Sequence, residues 1–322
     1  MLMKFGEAEK QITEGKLLHI AGTENLLRRL PKGKWIGGST EYFMAKDGGK
    51  ISDELLFVTE FPYENFAVKN YDTAGIGNVA ADAFDKGFSI VIIPFDSAVH
   101  REYAENADSF KDLFLKNIAG WISGVNLEAS GQTPIAVNGL TGEIFAGEAV
   151  AMHLEVPGGK TISVNIVNIF DQDETSPIIT FSDSDHGFSV KNCFIDGKET
   201  VFADYIAEND IDTKLPLIGN YSGSGINISF RNIEEGAVNF YAPVFAGIEY
   251  KFAKNITDYS AAFHEHLEGI TDASSVFSCN CILNFLYGGF EGKRIEAFAG
   301  PITFGEIAYQ LVNQTLVYVS VR

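Results

Sequence analysis

The run Phe88-Ser89-Ile90-Val91-Ile92-Ile93-Pro94-Phe95 constrains this chain more than any other segment. A stretch so apolar and β-branched makes a strand only if both of its faces are covered, so it demands a layer above and a layer below. Residues 79–86 before it read as a helix. After it, Tyr103, Ala107, Phe110, Leu113, Phe114 and Ile118 recur at helical spacing and predict the longest helix over 100–121.

Elsewhere the punctuation is that of short strands. Residues 8–30 set Ile12, Leu17, Leu18, Ile20, Leu26 and Leu27 among charges and predict one or two short helices. Residues 34–44 read as a strand, a glycine-permitted bend at Gly37-Gly38 and a second strand, closed by the turn at 46–49. Leu55–Phe61 and Phe66–Tyr71 are further strands. Downstream, β-rich segments at 135–138, 149–156, 161–170, 178–181, 187–195, 225–230, 237–243, 248–252, 276–282 and 315–321 are separated by Gly, Pro or Asp, with helices at 200–208 and 257–268. Gly158-Gly159 reads as a hairpin turn. The polar stretch 171–177 ends in proline and predicts a boundary near 175–185. The reading is an α+β fold of mixed and antiparallel sheets covered by helices, in two intimately packed parts: an α/β domain at 1–180 and an α+β domain at 181–322.

Charge narrows the partners. Lys and Arg number 24 against 43 Asp and Glu, a net −19, so a phosphate backbone meets a field of the wrong sign and nucleic-acid binding is not expected. No stretch approaches the roughly 18 to 20 apolar residues that span a bilayer. Residues 1–12 carry Lys4, Glu7, Glu9 and Lys10 where a signal peptide would be apolar. A cytoplasmic protein without membrane insertion is expected. The cysteines Cys193, Cys279 and Cys281 supply neither an even disulfide framework nor a four-ligand zinc set, as suits a reducing compartment.

Several segments can carry chemistry. Residues 75–80 fit the glycine pattern of a dinucleotide loop, with Asp96 about 20 residues on where a ribose-binding acid would sit; a helix-capping turn is the alternative. Alternation puts Cys279 and Cys281 on one strand face, as a soft-metal or redox pair or as buried structural sulfur. His100 and His153 are either axial ligands for haem or core residues. The small polar loop 220–225 offers backbone amides to an anion or simply connects a hairpin. In Gly300-Pro301-Ile302-Thr303-Phe304-Gly305-Glu306-Ile307 a lone carboxylate sits in an apolar segment, and burial demands a partner for it: an Arg, a ligand amine or backbone amides. A nucleophile elbow, a Walker loop, a metalloprotease helix and a kinase signature are all absent, so the sequence gives little support for an enzyme.

At these residues the chain resembles the FIST sensory domains. Residues 192–197 (Asn-Cys-Phe-Ile-Asp-Gly), Ala203-Asp204-Tyr205-Ile206, Leu215-Pro216-Leu217, Phe277-Ser278-Cys279 and the Gly305-Glu306-Ile307 element look like that family's C-terminal part. Ile36-Gly37-Gly38-Ser39-Thr40 looks like its Gly-Cys-Ser-Thr bend, with Gly38 in the cysteine's place. Where the family continues toward a Gly-Arg pair, this chain has Asn280-Cys281-Ile282.

The resemblance implies a small-molecule sensor in bacterial signalling, for an amino acid or a similar ligand, with haem a further option known in some members. A sensor without a fused output domain is expected, and a separate signalling protein is the implied partner. The resemblance also selects a pocket of Ser39, Thr40, Cys279, Asn280 and Glu306, with Glu306 meeting a ligand cation. The alternative is a thiol- or nucleotide-dependent enzyme using Cys279 or the 75–80 loop.

Overall fold

The structure, a computed structural model, describes residues 1–221, 224–268, 270, 274–295 and 298–322. Ser222 and Gly223 of the small polar loop lie outside the described residues. Strand residues outnumber helical ones, 43% to 18%, so sheets rather than helices carry the core of this mixed α+β fold.

The chain opens with β1 (Leu2–Lys4), α1 (Phe5–Thr13), β2 (Leu17–Gly22), α2 (Glu24–Arg29), β3 (Trp35–Ser39), β4 (Tyr42–Ala45), β5 (Gly48–Ile51), β6 (Leu55–Phe61) and β7 (Phe66–Tyr71). It continues with β8 (Gly87–Pro94), α3 (Ala98–Asn106), β9 (Asn117–Ser123), β10 (Ala136–Asn138), β11 (Glu143–Phe145), β12 (Ala149–Glu155) and β13 (Ile162–Val167). Then come β14 (Ile179–Thr180), β15 (Gly187–Val190), β16 (Asn192–Ile195), β17 (Lys198–Val201), α4 (Phe202–Glu208), β18 (Leu217–Tyr221), β19 (Ser224–Ile228), β20 (Phe230–Glu234), β21 (Ala237–Val244) and β22 (Tyr250–Phe252). The last stretch holds α5 (Tyr259–Leu267), β23 (Ser275–Cys281), α6 (Ile282–Tyr287), β24 (Gly300–Thr303), β25 (Glu306–Ala308), β26 (Gln310–Val312) and β27 (Leu316–Val321).

Two compact units result, and neither follows a linear cut at 180 and 181. One comprises 1–167, 263–311 and 315–322; the other comprises 168–262 and 312–314. The reason is pairing: β24 is antiparallel to β4 and β25 is antiparallel to β9, so the C-terminal strands complete sheets begun near the N-terminus.

The first unit holds three six-stranded sheets, ordered β1-β6-β2-β3-β10-β11, β26-β25-β9-β8-β12-β7 and β13-β27-β23-β24-β4-β5. In the first, strand alternation sends Leu18 and Ile20 of β2 to the face that α1 and α2 cover through Ala8, Ile12, Leu26 and Leu27. Thr23 caps α2 by accepting from Leu26 N–H at 3.3 Å. The other face carries His19, packed edge-on against Trp121 of β9 and Phe277 of β23. β8 is buried along its whole length, as its composition demands. The second unit holds β17-β16-β14-β22-β18-β19 and a smaller sheet, β15-β21-β20. Phe202 of α4 is its central anchor, against Phe181, Phe230 and Phe240.

Several expectations are corrected. Helix α3 stops at Asn106, and the apolar residues 118–122 belong to β9, parallel to β8, where a Cβ on Gly120 would stand 2.0 Å from Val91 O. The continuous helical period breaks at Asp112, whose φ is +62°. Residues 79–86 form turns rather than a helix, and β2 interrupts the helical reading of 8–30. Gly158-Gly159 does not close a hairpin, because β12 pairs with β7 and β8 while β13 pairs with β27. Gly37 and Gly38 are not a bend but part of β3. Among the described residues, no helix is long and apolar enough to cross a membrane.

A Cβ on Gly38 would lie 2.6 Å from Ile92 Cγ2 and 2.8 Å from the Trp121 ring. Gly38→Ala therefore overpacks the meeting of two sheets and should cost about 1–3 kcal/mol. A lower urea midpoint at unchanged m value is the expected result, and an unchanged midpoint would show that the layers yield.

Candidate functional site

The loops after β2, β3 and β9 leave the carboxyl ends of strands in two sheets, with β2 parallel to β3 and β9 parallel to β8. Carboxyl ends of parallel strands are where α/β sheets commonly leave a crevice for ligands. Here they enclose a cleft of about 420 Å³, lined among others by Thr23, Ser39, Thr40, Glu41, Asp53 and Gly124.

Ser39 and Thr40, two of the residues selected from sequence, lie in its wall and are 3% and 1% exposed. Ser39 Oγ accepts from Ile135 N–H at 2.9 Å, which leaves its own hydroxyl proton to offer. Thr40 Oγ1 donates to Ile302 O at 2.8 Å and accepts from Tyr42 N–H at 3.2 Å, so this hydroxyl holds the wall together. Sequence reasoning missed Glu41. It is 7% exposed, and its carboxylate accepts from Asn126 Nδ2 at 2.7 Å and from Gln132 Nε2 at 3.4 Å, both neutral amides. A carboxylate takes about four such bonds, so Glu41 has capacity for more donors. Glu24 lines the cleft as well but is paired with Arg28, whereas Glu41 and Asp53 have no cationic partner among the described residues.

The other three predicted residues cluster elsewhere. Glu306 is fully buried. Its Oε1 lies 2.8 Å from Thr303 Oγ1, and its Oε2 accepts from Thr315 Oγ1 at 2.9 Å and Thr315 N–H at 3.4 Å. Thr303 has one hydroxyl proton and a second acceptor in reach, Asn280 O at 3.2 Å. A protonated Glu306 donates to Thr303 and frees Thr303 to donate to Asn280, so the neutral acid satisfies the whole set. Burial pushes the Glu306 pKa up to about 8, against the pull of its hydroxyl partners. The expected ligand cation is thus replaced by threonine hydroxyls. Asn280 Oδ1 accepts from Asn284 Nδ2 at 2.8 Å, and its Nδ2 has no partner among the described residues and lies beside a void of about 10 Å³, room for roughly one water. None of Cys279, Asn280 and Glu306 lines the cleft of Ser39 and Thr40.

Cys279 is 1% exposed, and its thiol contacts Gly120 O at 3.5 Å. Burial first, then Glu306 and Cys281, holds its pKa well above the ordinary value, the reverse of an activated thiolate. The dinucleotide reading of 75–80 also loses its frame. The strand before that loop, β7, is an antiparallel edge strand beside β12, and residues 76–78 form a single 3₁₀ turn, so there is no parallel strand-to-helix crossover to seat a pyrophosphate.

His153 has both ring nitrogens engaged. Ser89 Oγ lies 2.7 Å from Nδ1 and Tyr71 OH 2.8 Å from Nε2; Tyr71 OH donates onward to Asp82 at 2.9 Å, and Asp82 pairs with Lys69. One proton assignment satisfies the chain: Tyr71 accepts from the Nε2 proton, and Nδ1 accepts from Ser89. Burial lowers the His153 pKa to about 4, so the ring is neutral, with no lone pair left for a haem iron. Ser89 is fully buried, which denies this Ser–His pair a substrate. His100 is 2% exposed and accepts from Asp96 N–H at 3.3 Å.

Two outcomes check this geometry. Glu306 keeps its proton in the folded chain up to about pH 8 and loses it near 4.5 when unfolded. Its stabilising contribution is complete below that lower value and is lost as pH rises to the upper one, at ~1.4 kcal/mol per pH unit. The stability of the native chain relative to Glu306→Gln, measured by urea denaturation, should therefore fall steadily through this window; a pH-independent difference would mean normal ionisation. Separately, all three thiols are buried, so DTNB should titrate them only in denaturant. A fast-reacting native thiol would contradict the environment described for Cys279.

No curated protein and no solved structure matches this sequence. A family model, described as a family of unknown function (DUF6976), matches residues 3–322, and the chain belongs to that family.

Proposed function

We propose that this protein is a cytoplasmic small-molecule sensor whose ligand is a compact amine, such as an amino acid, held in the cleft of about 420 Å³ and read out by a separate signalling protein. The observation that carries the reading is Glu41, a carboxylate 7% exposed that lines the cleft and is met, among the described residues, only by neutral amides. An ammonium group supplies the donors and the charge that this carboxylate lacks, and charge-assisted bonds are the stronger kind. Asp53 adds a second carboxylate, and the free hydroxyl proton of Ser39 suits the acceptor end of an amino acid. The net charge of −19 draws cations toward the site. The FIST-like motifs described above point toward the same class of function. Sensing then requires only that the ligand bind one conformation better than another.

Differential scanning fluorimetry with the protein amino acids and their decarboxylated amines tests this. A ligand present at 100 times its Kd adds about 2.7 kcal/mol, a shift of several degrees. At least one compound should give a saturable rise in Tm that Glu41→Gln abolishes. If no amine shifts the transition, or if the shift survives in Glu41→Gln, the reading fails.

A further inference from the structure

Lys46, Lys50, Lys293 and Arg294 come from two short segments that the backbone ties together. Gly49 N–H donates to Lys293 O at 3.0 Å, and Gly292 N–H donates to Gly49 O at 2.9 Å. A Cβ on Gly49 would stand 2.3 Å from Phe290 O, so glycine is what lets the two segments lie this close. With acidic residues outnumbering basic ones 43 to 24 over the chain, this is a local reversal of sign. Lys50 is held by Asp47 at 2.6 Å, but Lys46 and Arg294 have no carboxylate partner among the described residues.

Lys46, Lys50 and Arg294 border a second cleft of about 850 Å³, walled by β1 and β6 on one side and by the first half of β23 on the other. Its apolar lining includes Met3, Phe57, Phe277, Ile295 and Phe298, none more than 7% exposed. Glu60 is also in the wall, but Lys16 engages it at 2.9 Å. The cleft therefore combines an apolar floor with two cations that have no carboxylate partner among the described residues, the opposite polarity to the Glu41 cleft. Its volume lies within the roughly 300–1,000 Å³ of small-molecule sites.

We propose that this second cleft binds an amphipathic organic anion, its single acidic head between Lys46 and Arg294 and its aromatic or aliphatic body over Phe57, Phe277 and Phe298. Arg294 offers a planar fork to a carboxylate or sulfonate, and Lys46 adds a point charge. The body removes apolar floor from water, the non-directional part of the affinity. Carboxylates already paired on the rim disfavour polyanions such as nucleoside triphosphates. The inference is independent of the amine reading, since the two clefts share no lining residue.

Fluorescence titration with anilinonaphthalene sulfonate and with N-phenylnaphthylamine, which has the same rings without the sulfonate, separates head-group recognition from adhesion to apolar surface. The sulfonate should bind at one saturable site, be displaced by dodecanoate, and bind about tenfold more tightly than the neutral amine, a difference that shrinks at high salt. Lys46→Glu and Arg294→Glu should each weaken it about tenfold, while Lys198→Glu, the same charge change in the other unit, should leave it unaltered. Both target side chains are exposed, and Lys46→Gln and Arg294→Gln give the same reading should a reversal impair folding. Absence of saturable binding, equal affinity for the neutral amine, or equal losses in all three charge reversals would overturn the proposal.

Discussion

With no side chain at Gly38, the indole of Trp121 lies against the backbone of β3, and that contact sets the separation of two sheets. At this spacing the indole N–H reaches across to His19 on β2 and donates to its Nε2 at 2.8 Å. The bond consumes that nitrogen's lone pair, so the proton of the neutral ring sits on Nδ1. Burial holds the His19 pKa down to about 3, which keeps the ring neutral at physiological pH. A glycine, an indole and an imidazole thus form one device: the first permits the approach, the second fills it, and the third answers the polar atom the second brings along.

The same rule governs the rest of the first unit. Groups inside it are neutral: His153 sits between a serine and a tyrosine, and Glu306 sits between two threonines. Each cleft is bordered by charges that have no ion-pair partner among the described residues, Glu41 and Asp53 at the smaller one and Lys46 and Arg294 at the larger. Leaving a charge unpaired is costly inside and inexpensive beside solvent, so such residues mark places where a ligand can improve on water.

Local texture revealed much of this. β7 and β8 were legible because a strand covered on both faces, or bounded by turn residues, carries its own signature. β9 was not, since residues 103–118 happen to repeat at helical spacing, and its pairing with β8 and β25, distant in sequence, is what settles the strand. The demand of Glu306 for a partner was also legible. Its satisfaction by Thr303 and Thr315 was not, because a threonine's hydroxyl does the work without any charge to advertise it. Glu41 gave no signal at all, since the amides that meet it belong to Asn126 and Gln132, far along the chain. Unit boundaries failed for the same reason. A polar, proline-ended stretch at 171–177 marks where the chain leaves one unit, but no local feature says that it will return.

That return has a kinetic meaning. Gly300 and Pro301 pair with Met44 and Phe43, and β25 pairs with β9, so β4 and β9 each wait for nearly the whole chain to be synthesised before their second neighbour exists. Contacts so distant in sequence fold slowly, because loop closure must precede any reward. The waiting strands are β4 and β9, and a strand edge left open is the part of a chain most prone to pair with another. A truncation near the C-terminus would therefore leave a half-built sheet rather than a smaller domain.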